Sequence, residues 1–207
     1  MKASDIKIGC VYYVDYEPVR NGEFDGFHLS VIIKKNHDKY TFVVMPLTSS
    51  ANGNGINKVN IGKIVGLPSN LKRKDSYAVF DQIRTVNASR IKAIKKGRQN
   101  AVIKLHNNIL HKLIDLYISD LLYHFNQDEK ISILHRAYCK EQINKATNFA
   151  YDIIKMQKSN VEKEKISSIY NEIWRILMNV VNDFDVTEVP KDVLEIFHEA
   201  IKSRFSY

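Results

Sequence analysis

The side chains best equipped for chemistry crowd into one short stretch, "SYAVFDQIRTVNASRI" (76–91), where Asp81, Gln82, Arg84 and Thr85 stand almost side by side. Its first half alternates like a strand, with Tyr77, Val79 and Asp81 on one face and Ala78, Phe80 and Gln82 on the other. Polar groups at a strand end cost stability unless satisfied, so the cluster is either a structural network or a site. In the first reading an Asp81–Arg84 pair ties neighbouring loops together, because buried charges persist only when paired. In the second, Asp81 orients a catalytic group or binds a base edge. The first is favoured, with Asp81 and Gln82 as supporting residues, since so dense a cluster must satisfy itself before it serves a ligand.

Other chemistries find less support. His106, His111, His124 and His135 fall in helical stretches, and none reads as part of a metal-binding set. No metal site and no cofactor is expected. Cys10 and Cys139 are the only two cysteines, far apart, which fits inert thiols in a reducing cytoplasm. No run approaches the roughly 18 apolar residues of a membrane span, and "MKASDIKIGC" lacks a signal-peptide core.

The charge is uneven. Of the net +8, residues 1–98 carry +9 (17 Lys/Arg against 8 Asp/Glu) and residues 99–207 carry −1 (14 against 15). A basic half suits a polyanion, with nucleic acid the leading candidate; solubility alone is the plainer account. Lys34, Lys58 and Arg73, the last within "LKRKD" (71–75), could track phosphates, and Phe24 could stack on a base.

The elements that must position these residues change character near residue 99. Before it come Val-, Ile- and Tyr-rich runs at 9–16, 27–35, 40–48 and 76–86, with a shorter edge strand at 59–65. "NHDK" (36–39) reads as a hairpin turn. Long loops at 17–26 and 49–58 are where binding tends to sit. After it the period becomes helical: Leu105 to Leu121, then a capping box at Asn126–Glu129, a second at 159–162, and a last helix opening at Pro190. The expected domains are a compact β-barrel with its own helix (1–125) and a helical extension (126–207).

Three blocks in order, "GCVYYVDYEPVRNGEFDGFHLSVII", "FVVMPLTSS" and "VFDQIRTVNASRI", resemble the MazF/PemK family of toxin endoribonucleases from bacterial toxin–antitoxin pairs. The resemblance covers residues 5 to about 120 and leaves 126–207 outside. It implies an α+β fold built on an SH3-like β-barrel, usually a homodimer. It further implies cleavage of single-stranded RNA at short sequences by 2′-OH attack without a metal, inhibition of growth, and neutralisation by a cognate antitoxin, a protein more readily than an RNA.

Residue by residue, the resemblance puts Thr48 at the phosphate and Arg84 within the signature strand, as an RNA contact. It also exposes a departure. Where the family has an arginine soon after the glycine that opens the second strand, this chain has His28, after Gly26 and Phe27. Imidazoles shuttle protons near neutrality but lack the guanidinium's fork of donors. The expected catalytic set is therefore His28, Thr48 and Arg20, with Arg20 supplying the missing charge. The missing arginine keeps a second class open: a non-catalytic toxin or adaptor of the same fold that binds a protein target.

Overall fold

The computed structural model describes residues 1–72, 74–159, 162–180, 187 and 189–205. Arg73, and all but three residues (Thr187, Val189 and Pro190) of an acidic stretch at 181–190, lie outside them. The chain divides into two compact units, Met1–His124 and Phe125–Tyr207.

The first unit is an antiparallel sheet of β1 (Val11–Asp15), β2 (Phe27–Lys35), β3 (Thr41–Thr48), β4 (Lys58–Gly62), β5 (Ser76–Val79), β6 (Arg84–Asn87) and β7 (Ile91–Lys92). The strands run in the order β4-β5-β3-β2-β1-β7, with β6 pairing β3, and the path does not close. A separate hairpin joins β8 (Ile94–Lys96) to β9 (Gln99–Ala101), and α1 (Asn107–Leu121) follows. The architecture is α+β, as the sequence led us to expect.

Strand alternation sends side chains to two cores. Tyr12, Val14, Tyr16, Ile32, Phe42 and Val44 fill one. Val11, Val31, Met45 and Leu47 enter the other, where Leu113 of α1 joins them. The β2–β3 turn is held by Asp38, whose carboxylate accepts from the backbone N–H of Tyr40 and Thr41 and from the Thr41 hydroxyl. Those bonds keep its carboxyl below the usual carboxylate range.

Two local expectations fail. The run 76–86 is not one strand. It breaks at Phe80–Ile83 into β5 and β6, which pair with opposite ends of the single long strand β3: Leu47 and Thr48 with β5, Thr41 to Val44 with β6. Between Leu47↔Ala78 and Val44↔Arg84 the partner chain advances six residues against three of β3, so the excess turns out of the sheet between them. The second failure is the capping box at 159–162. Residues 160 and 161 of it lie outside the described ones, and the helix that follows takes Glu162 as its N-cap with no side-chain bond. The Ser159 hydroxyl donates back to the Lys155 carbonyl of the preceding helix.

The second unit holds α2 (Gln127–Gln157), α3 (Lys163–Met178) and α4 (Lys191–Phe205). α2 opens with both reciprocal bonds between Asn126 and Glu129, satisfying two otherwise orphaned amides. Ala146 and Ala150, one turn apart and fully buried, let α2 approach Ile173 and Phe197 closely. Among the described residues no helix is long and apolar enough to cross a membrane.

Candidate active site

The loop 17–26 is pinned at its neck. Tyr16 donates its backbone N–H to the Gly26 carbonyl at 2.9 Å, and the Gly26 N–H donates to the Glu17 carboxylate at 3.1 Å. Gly26 has φ 63°, a left-handed conformation that a side chain would resist, and it turns the chain directly into β2.

The ring of His28, at the start of β2, is held by two aromatic edges. Phe24 lies 4.6 Å away between centroids at 71°, and Tyr16 lies 6.2 Å away at 74°. Both are the tilted geometries that aromatic quadrupoles favour. Tyr16 is itself fully buried, with its hydroxyl 2.8 Å from the Ser30 hydroxyl. Burial drives its phenol far above the ordinary range, against the weaker pull of the Ser30 bond and the Arg84 charge.

Strand register brings in Thr48. β2 and β3 pair Ser30 with Pro46, Val31 with Met45 and Ile32 with Val44. That ladder ends at Ser30 and Pro46; His28 and Thr48 each stand two residues beyond it, so strand alternation turns both toward the face of that pair. Thr48 also pairs with Tyr77 of β5, and Tyr77 with Asn60 of β4. The Thr48 hydroxyl accepts from the Ser50 N–H at 3.1 Å and can still donate outward. Lys58, paired with Val79, lies on this face one row along.

Arg84 closes the side of the site. One guanidinium nitrogen donates to the Tyr16 carbonyl at 3.0 Å and the other to the Glu23 carboxylate at 3.2 Å, while the group stacks 5.6 Å from the Tyr16 ring. The expected Asp81–Arg84 pair therefore does not form. Arg84 is matched by Glu23, and Asp81 accepts from the Asn57 amide at 3.1 Å, tying the 80–83 turn to the 49–58 loop. Gln82 donates to the Gly22 carbonyl at 3.4 Å. Together Tyr16, Glu23, Phe24, Asp81, Gln82 and Arg84 line a cavity of about 220 Å³.

Arg20 is exposed on the adjoining rim, where it lines a larger hollow with Pro18, Glu23 and Arg84. Phe24 is half-buried against the core and against His28, so most of its ring is committed to holding that imidazole. Lys34 is not brought to the site. A β-bulge between Ile32 and Lys34 shifts the register so that Lys34 pairs with Val43, on the face away from His28. Arg73 lies outside the described residues. Among the described residues no group of three potential ligands could hold a metal ion.

Sequence reasoning missed Tyr16, Ser30, Asn57 and Glu23. Tyr16 and Ser30 were within reach, since the alternation of "VYYVDY" and "HLSVII" puts both on the inward face with His28. Glu23 and Asn57 carried no signal, because their partners lie 61 and 24 residues away.

The fold and site define a small α+β protein whose first unit carries a polar cluster on one sheet face, under a pinned loop. Residues 7–113, just over half of the chain, match the family described as PemK-like, MazF-like toxin of type II toxin–antitoxin system, and the chain belongs to that family. Among solved structures it is similar to a MazF crystal structure (Form-I) from Deinococcus radiodurans, at 18% identity and TM-score 0.39, covering 56% of this chain and 96% of that one. A MazE–MazF structure (Form-II) from the same organism aligns at 18% identity and TM-score 0.37, covering 57% and 96%. The Mycobacterium tuberculosis toxin MazF-mt6 aligns at 14% identity and TM-score 0.34, covering 53% and 92%. No curated protein matches the chain.

Proposed function

We propose that this toxin-family protein is an endoribonuclease that cuts single-stranded RNA at short sequences by attack of a ribose 2′-hydroxyl, with side chains alone supplying the chemistry. The observation that carries this reading is the imidazole of His28 braced by Phe24 and Tyr16, at a strand position whose alternation turns it toward the same face as Thr48.

The imidazole of His28 takes the 2′-hydroxyl proton as the 2′-oxygen attacks the adjacent phosphorus. The bond from phosphorus to the 5′-oxygen breaks, and that oxygen takes a proton from water or from the imidazolium. The products carry a 2′,3′-cyclic phosphate and a free 5′-hydroxyl. The Thr48 hydroxyl donates to a non-bridging oxygen, where fixed donors are worth most, and Arg20 supplies positive charge from the rim. Lys58 tracks a neighbouring phosphate. Arg84 serves chiefly through the loop it holds, since Glu23 already offsets its charge.

Family membership and the basic first half support a cognate antitoxin as partner, a protein rather than an RNA, covering the same groove. A homodimer is the assembly this reading favours. The test is incubation of the purified chain with single-stranded RNA in EDTA, followed by analysis of the new ends. Cyclic-phosphate and 5′-hydroxyl ends at a recurrent sequence, abolished by a 2′-deoxy substitution at the cut, support it. Intact RNA from a chain that still arrests growth points instead to a toxin that binds a protein target.

A further inference from the structure

α2 is too long for the helices packed on it. Its 31 residues span about 46 Å, whereas the 16 of α3 and 15 of α4 span about 24 and 22 Å. Accordingly, its buried residues begin at Cys139, and Ala146, Ala150 and Ile153 complete them. No residue of the first three turns, 127–138, is buried.

Those uncovered turns are not polar. Ile131, Leu134 and Tyr138 are 60, 48 and 50% exposed, at the i, i+3, i+7 spacing of a helix–helix seam. A helix that faces only water has no use for such a stripe. Lys130 and Glu141 show what fits it. They stand eleven residues apart, three turns along the helix, and so within about 20° of each other on one flank of the seam. When two copies of a helix pair antiparallel about a two-fold axis, like flanks meet. Lys130 of one copy then faces Glu141 of the other at both ends, with Leu134 against Tyr138 between them. A parallel pair would instead set opposite flanks together and leave Lys130 and Glu141 on separate sides of the seam, without each other as partners.

We propose that the first three turns of α2 form a self-association surface, occupied by the same turns of a second copy in antiparallel register. This surface lies outside residues 7–113 and does not depend on the nuclease reading. Being short, it is a weak contact alone, and it acts by strengthening or cross-linking whatever association the first unit makes.

The test is sedimentation of the full-length chain across a concentration series. Leu134→Glu, at a half-exposed position that leaves the core intact, should raise the dissociation constant at least tenfold. Lys130→Glu and Glu141→Lys should each do the same, and the double exchange should restore association to within about threefold of the parent. Association unmoved by Leu134→Glu would overturn the surface. Failure of the double exchange to restore what the single reversals lose would overturn the antiparallel pairing.

Discussion

Arg84 places a guanidinium nitrogen 3.2 Å from the carboxylate of Glu23, sixty-one residues back in the chain, while its other nitrogen holds the Tyr16 carbonyl. The pair thus fastens the 17–26 loop to the strand that carries the family signature. Both side chains are about a third exposed or more, so the ion pair itself contributes little, well under about 1 kcal/mol. The carbonyl bond and the stacking on Tyr16 matter more.

Arg84→Ala should therefore destabilise the chain by about 1–2 kcal/mol and lower RNA cleavage through a loosened loop. Arg84→Lys should recover little, because a single ammonium cannot reach both acceptors and stack as well. Urea unfolding followed alongside cleavage rates checks both statements.

Thr48 tests the phosphate contact without disturbing the fold. Thr48→Val keeps the shape and removes the hydroxyl. It should cut the rate constant for cleavage by about 10–100-fold with a melting temperature within a few degrees of the parent. Thr48→Ser should stay within several-fold of it.

The raised phenol of Tyr16 gives a pH signature. A group whose folded pKa lies above its unfolded value contributes stability that is whole below the unfolded value, near 10 for tyrosine, and is lost as pH rises beyond it. Tyr16→Phe should cost about 1–2 kcal/mol at pH 8 through the lost Ser30 bond. By pH 11 that gap should narrow or invert, because only the parent must keep a buried phenol neutral. The phenol of Tyr12 is also raised by burial, so the variant keeps some alkaline sensitivity.

What the sequence made legible was what neighbouring residues decide. β2 and β3 follow from their Val/Ile/Phe content, the 36–39 turn from Asp38, and the start of α2 from the Asn126–Glu129 box. What it concealed depends on distant pairing. The run 76–86 has no glycine or proline to mark the break at Phe80–Ile83, which shows only in the shifted register against β3. The bulge that turns Lys34 away is hidden within a smooth apolar run, and the partners of Asp81 and Arg84 sit on loops remote in the chain. His28 and Thr48 were named from a resemblance; their common face follows from strand alternation beyond the ladder.

The most direct measurement is single-turnover cleavage of a single-stranded RNA by the parent chain and by His28→Ala and His28→Gln, with end-group analysis in EDTA. If His28 moves the proton, both variants lose at least about 100-fold in rate while remaining folded. His28→Ala cleaving at the parent rate, with the same cyclic-phosphate ends, would contradict it.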